Sequence, residues 1–310
     1  MESDGRLAAT EAIAEETHGL DALPVDELVA VLVRAQARAF EAVDAVAPAL
    51  ARAVDAVAAR LRAGGRLHYV GAGTSGRLAM LDAAECPPTF GTPASLVEAH
   101  VAGGEAALVR AIEGAEDDAA AGEAEARAAF APGDAVVGLS AGGGARYVVA
   151  ALRAARALGA LTVAVTSDAH SELASAAEFP VVVATGAEPL AGSTRLVAGT
   201  AQKLVLNTLS TAVMVRLGRV YDNLMVDLVA TNDKLRRRAL RLVALLAPAD
   251  EERARSLLEE AGGSVKIAVV MARRAVSAGE ARALLTQSHD FLRPLLENEP
   301  PPPAPSTGSG

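Results

Sequence analysis

The chain has 310 residues, enough for one large or two modest domains, and 51% apolar with 22% charged content is the balance of a soluble globular protein. A net charge of −9 argues against a general binder of nucleic acid or of an anionic membrane, yet it leaves room for a local pocket that holds one phosphate. The single cysteine, Cys86, excludes an internal disulfide, and histidines at 18, 68, 100, 170 and 289 show no spacing that converges on a metal, so no structural metal is expected.

The first residues, Met1-Glu-Ser-Asp-Gly5, lack the basic start and apolar core of a signal peptide, and no run of about twenty apolar residues follows. A cytoplasmic location is expected. From Pro24 to Leu61 apolar residues recur at helical spacing, with Pro48 expected to break or kink the stretch and Gly64-Gly65 to end it. Five short Val-rich runs then alternate with helical ones, at 66–70, 95–101, 134–140, 161–166 and 178–184. This alternation predicts an α/β fold: a five-stranded parallel sheet flanked by helices, its strands buried on both faces. A long helix over 198–217 is expected to close that domain. Beyond Asn232 the pattern is wholly helical and reads as a small three-helix bundle, with Asp250 starting one helix, Gly262-Gly263 ending it and a capping box at Ser277-Ala-Gly-Glu280. The expected division is an N-terminal helical segment at 1–58, a sheet domain at 59–228, a helical bundle at 229–298 and a disordered Pro-rich tail at 299–310.

The most informative run is Tyr69-Val-Gly-Ala-Gly-Thr-Ser-Gly76, which reads as a strand, a glycine-rich loop and a helix start. Gly71, Gly73 and Gly76 let the backbone approach a ligand closely, and Thr74 and Ser75 add hydroxyl donors at the positive end of a helix. This pattern suits a sugar phosphate better than a nucleotide, because neither a P-loop lysine nor a suitably placed ribose-binding acid accompanies it. Ligand loops of such sheets gather at the carboxyl ends of the strands, which also places Ser140-Ala-Gly-Gly-Gly144 and Gly192-Ser193-Thr194 at this edge.

Two acidic features remain. Glu85 ends an apolar helix and precedes Cys86-Pro87-Pro88, so the chain is expected to leave helical geometry there. Its plain reading is a surface residue, although a helix C-terminus disfavours an acid. Glu113, Glu116 and Asp117 fall in a helical stretch and read by themselves as a solvated acidic face. Cys86, without a nearby histidine, reads as a packed thiol. Lys203 and Arg195 are candidate partners for phosphate charge.

The continuous run Gly71 to Gly91 resembles the N-acetylmuramic acid 6-phosphate etherases, members of the sugar isomerase (SIS) superfamily that also holds the glucokinase regulatory proteins. Glu113-Gly-Ala-Glu-Asp117, Gly192-Ser-Thr-Arg-Leu-Val-Ala-Gly-Thr-Ala-Gln-Lys203 and Tyr221-Asp-Asn-Leu-Met-Val-Asp-Leu-Val-Ala-Thr-Asn232 resemble the same family in the same order. The resemblance implies a lyase that removes the D-lactyl ether from its substrate, with a SIS-type sheet, no cofactor, a small sugar-phosphate substrate and a homodimeric assembly. It implies Glu85 and Glu116 as catalytic carboxylates, and the residue reading adds Gly73, Thr74, Ser75, Ser193 and Thr194, with Ser140 beside them, as the expected substrate contacts. Where the family generally has Ser-Gly-Arg-Thr-Pro-Tyr, this chain has Gly142-Gly-Gly-Ala-Arg-Tyr147, without the two hydroxyls. Ser140 could stand in for the missing serine. A helix over 76–85 would place Glu85 roughly 13 Å from the cradle, which suggests a site shared between two subunits. The alternative implied reading is a non-catalytic sugar-phosphate-binding regulatory protein.

Overall fold

The computed structural model describes residues 8–230 and 232–297, so the expected tail at 299–310 and the first residues lie outside it. The chain divides into two units, one of residues up to 86 with 93–213, the other of 87–92 with 214 onward.

The first unit opens with short 3-10 turns, including Ala9–Glu11, and then α1 (Val25–Ala35), α2 (Ala37–Ala45) and α3 (Ala47–Arg62). The stretch breaks at Val46, beside the proline as expected, and Pro48 occupies the first turn of α3, where its missing N–H costs no intrahelical bond. Next come β1 (Leu67–Gly71), α4 (Gly73–Phe90), β2 (Val97–Val101), α5 (Ala106–Val109), a 3-10 turn at Ala115–Asp117 and α6 (Ala119–Ala129). They are followed by β3 (Ala135–Leu139), α7 (Arg146–Ala157), β4 (Leu161–Thr166), α8 (Glu172–Ala176), β5 (Phe179–Val182) and α9 (Val197–Arg216).

All strand pairs are parallel, in the order β2-β1-β3-β4-β5. The central strands β1, β3 and β4 are buried along their whole length, as their unbroken apolar runs predict. On one face Val70, Val136 and Ala164 pack with Val148 and Leu152 of α7 and Leu173 of α8. On the other face α3 lies against β3, β4 and β5. The close α6–α7 crossing depends on Gly122, where an added Cβ would sit 2.1 Å from the Tyr147 carbonyl oxygen. Gly122→Ala is therefore expected to destabilise the chain by about 1–3 kcal/mol, read as a lower urea midpoint.

Two expectations are corrected in this unit. The Pro-Pro pair does not end the helix at Glu85: α4 continues through Pro87 and Pro88 to Phe90. Proline has a helical φ but loses its N–H bond and crowds the carbonyl four residues back, and burial of Ala79, Ala83 and Cys86 along the same helix offsets that cost. The histidines also converge where spacing showed no pattern. Parallel pairing of β1 with β2 sets His68 beside Glu98 and brings its Nδ1 within 3.1 Å of His100 Nε2. Burial, followed by the neighbouring His100, pushes the His68 pKa down to about 4, so this ring is neutral.

The second unit is helical, with α10 (Asp233–Leu246), α11 (Glu251–Glu260), α12 (Val265–Arg274), α13 (Ala278–Gln287) and α14 (Arg293–Glu297). Among the described residues five helices stand where three are expected, because Val265–Arg274 and the short last helix complete the packing around Leu242, Leu257, Val269, Leu285 and Leu292. The Asp250 cap and the Ser277–Glu280 capping box form as expected.

Candidate functional site

In an open parallel sheet, a crevice forms where strand order reverses, and here that point lies between β1 and β3. A cavity of about 400 Å³ sits there, at the carboxyl ends of both strands. Its walls include Gly73, Thr74 and Ser75 from the start of α4, Ser140, Gly142 and Ala145 after β3, Thr194 before α9, and the carboxylates Glu11, Glu116 and Asp117. Gly71 and Gly76 allow the tight entry into α4: a Cβ on Gly71 would fall 2.6 Å from the Gly76 nitrogen. The first N–H groups of α4 have no acceptor within the helix, so at the cavity wall they offer donors to an anion.

Ser75 is buried and its hydroxyl donates to Gln202 Oε1 at 2.8 Å. Gln202 Nε2 is buried with no partner. Reversing that amide would let Nε2 donate to Ser75 Oγ and free the serine hydrogen for a ligand. Ser140 lines the cavity and its Oγ accepts from the Gly143 N–H at 3.1 Å.

The structure thus gathers Gly73, Thr74, Ser75, Ser140, Thr194 and Glu116 around one cavity. Ser193 and Glu85 do not line it. Glu85 is exposed on α4, about 15 Å along the helix axis from Ser75. Glu113 and Glu116 do not share a helical face either, because Gly114 takes a φ of +72° and the helical turn begins only at Ala115. Lys203 instead donates to Asn207 Oδ1 at 2.5 Å, and neither it nor the exposed Arg195 reaches the cavity wall. Arg146 stands 3.8 Å from Asp117, but both side chains are exposed and such a pair is worth little.

Three participants escape sequence reading. Glu11 reaches the cavity from a segment with no motif. The fully buried Glu188 accepts from the Val197 and Ala198 N–H groups at 2.8 and 2.9 Å, so an internal carboxylate already serves the start of α9. On the inner side of α4, buried Asp82 accepts from Tyr69 Oη at 2.9 Å and Ser210 Oγ at 3.2 Å, and burial raises its pKa. Burial, then Asp82 and Glu85, likewise pushes the Cys86 thiol up to about 12, which removes it as a nucleophile at neutral pH.

Residues 49–156 match the family described as the glucokinase regulatory protein N-terminal SIS domain. An N-acetylmuramic acid 6-phosphate etherase of Symbiobacterium thermophilum is 52% identical over 261 residues, covering 84% of this chain and 87% of its own. One from Synechococcus sp. is 50% identical over 295 residues, covering 95% and 93%. The chain belongs to the N-acetylmuramic acid 6-phosphate etherase family. In this etherase-family member Gly142 and Ala145 present only backbone and a methyl group to the cavity. No helix among the described residues is long and apolar enough to cross a membrane.

Proposed function

We infer that this chain cleaves the D-lactyl ether of N-acetylmuramic acid 6-phosphate, giving N-acetylglucosamine 6-phosphate and D-lactate in the recycling of cell-wall amino sugars. The observation that carries this reading is the near-complete match to etherases at about half identity, combined with a cavity at the strand switch point that sets Glu116 beside the phosphate-type cradle. A 6-phosphate would be held by the first-turn N–H groups of α4 with the hydroxyls of Thr74, Ser75, Ser140 and Thr194. No lysine or arginine lines this cavity among the described residues, so those neutral donors carry the recognition.

Ring opening to the aldehyde acidifies the carbon 2 hydrogen. A carboxylate removes that hydrogen, the electron pair forms the carbon 2–carbon 3 double bond, and the ether oxygen leaves with a proton supplied by the second acid. Water then adds at carbon 3 and restores the hydroxyl. Glu85 is assigned to protonate the departing lactate oxygen and Glu116 to be its acid-base partner.

One chain does not bring those two carboxylates together, so the reading includes a homodimer in which Glu85 serves the cavity of a second copy. The exposed apolar stripe on α1 supports association: Val25, Val29 and Val33, spaced four apart, and Phe40 on α2 are each more than half exposed. Incubation with the substrate and an assay for D-lactate tests the reaction. Tight binding without lactate release would select a regulatory protein instead.

The altered loop gives a graded test. A Cβ at Gly142 meets nothing nearer than Thr10 Oγ1 at 3.9 Å, and that hydroxyl is buried without a partner. Gly142→Ser, which returns the family's hydroxyl, is expected to lower KM by about 2- to 10-fold, the range of one added hydrogen bond. An unchanged KM would remove this loop from substrate recognition.

A further inference from the structure

On the α7 face of the sheet, away from the sugar cavity, β1 and β2 place three potential metal donors together. His68 Nδ1, His100 Nε2 and a Glu98 carboxylate oxygen all lie within 4.8 Å of one another. The two nitrogens are 3.1 Å apart, and His68 Nδ1 is 3.5 Å from Glu98 Oε2. Donors bound at about 2.0–2.1 Å in a tetrahedral zinc site stand roughly 3.3 Å from each other, between these two separations.

The far side of each ring is occupied by a carboxylate. His68 Nε2 is 3.2 Å from Asp134 Oδ2, and His100 Nδ1 is 2.7 Å from Glu125 Oε1. Asp134 is itself held by the backbone N–H groups of Arg66 and Ala131, both at 2.8 Å. A carboxylate accepts, so the tautomers that satisfy the two shortest carboxylate contacts put each ring's hydrogen on the far nitrogen and leave lone pairs facing each other across 3.1 Å. Two such lone pairs repel unless a cation lies between them. Carboxylate backing of each imidazole is also the outer arrangement that orients metal-bound histidines. With neutral rings, Glu98, Glu125 and Asp134 against Arg66 leave two negative charges, the complement of a divalent ion. Phe130, with its ring centroid 4.8 Å from His68 and 5.2 Å from His100, closes the apolar side.

We propose that His68, Glu98 and His100 form a binding site for a divalent transition metal of the zinc class, with Asp134 and Glu125 orienting the two rings. The site ties the edge strand β2 to β1 and, through Glu125, to α6. His68 precedes Gly71 by three residues, about 10 Å of strand, so the metal stands apart from the sugar cavity and plays no part in ether cleavage.

Full-length protein, stripped with chelator and titrated with Zn(II), tests this by competition against a chromophoric chelator. One zinc per chain is expected. His100→Ala and Glu98→Ala should each weaken binding at least 10-fold, Glu125→Gln should weaken it about 10-fold, and Cys86→Ala should leave it unchanged. Zinc should raise the melting temperature of the wild type and not that of His100→Ala. Should His100→Ala fail to fold, Glu98→Ala carries the test, because its side chain is 36% exposed. Co(II) loading of the wild type is expected to give the visible bands of a low-coordinate nitrogen and oxygen site. Absence of stoichiometric zinc in the wild type, or equal affinity in the wild type and Glu98→Ala, overturns the proposal and leaves a shared proton between the rings.

Discussion

Glu116→Gln is expected to lower lactate release by about 10²- to 10⁴-fold, the usual worth of a positioned acid or base, with little loss of stability. The side chain is exposed in a short 3-10 turn at the cavity wall, so removing its charge breaks no buried network. Glu85→Gln is expected to have an effect of the same size although the residue lies outside the cavity of its own chain. That combination separates a shared site from a self-contained one. Mixed dimers of Glu85→Gln with Glu116→Gln chains should regain activity, since one of their two sites would then hold both carboxylates. Verified mixed dimers that stay inactive would sink the shared site, and wild-type turnover by either single variant would remove that residue from the mechanism.

A loss of about 3–5 kcal/mol is expected for Asp227→Ala in the helical unit. Asp227 Oδ2 receives Lys266 Nζ at 2.5 Å and Arg219 Nη1 at 3.2 Å, and the Lys266 side chain is only 4% exposed. Burial raises the Asp227 pKa in spite of both cations, and burial lowers that of Lys266 in spite of Asp227. The contribution of Asp227 therefore fades as pH rises through its raised folded pKa, and that of Lys266 fades as pH falls through its lowered one. For both groups burial outweighs the partner's attraction, so the cluster is costly to break by removing one member. Asp227→Ala strands two cations. Lys266→Met leaves Asp227 paired with Arg219 and is expected to cost less, and Asp227→Leu with Lys266→Met should recover only the part of the loss due to Lys266, since Arg219, 27% exposed, stays without its carboxylate. Urea midpoints decide the order. A double variant as unstable as Asp227→Ala would mean the ions themselves hold this unit together.

Features confined to one element were legible without coordinates. The five apolar runs are the five strands, the Ser277-Ala-Gly-Glu280 box closes on itself, and the glycines after Tyr69 do open the helix that lines the cavity. Each depends on residues within a few positions of one another, where backbone geometry and solvent exposure follow directly from residue type. The segment around Asp227 was legible as a family signature, but its role as the centre of a buried ion cluster was not.

What the chain order by itself determined is the alternation of strands and helices, hence a parallel sheet and the edge at which its loops gather. The tertiary structure alone decided that α4 runs on through two prolines, that Glu116 lines the cavity while Glu85 does not, that Glu11 arrives from a distant turn, and that His68 meets His100 and Glu98. Those outcomes depend on strand register and on packing between elements far apart in the chain. A proline's lost bond or two facing imidazoles are tolerated or not according to neighbours that no local pattern specifies.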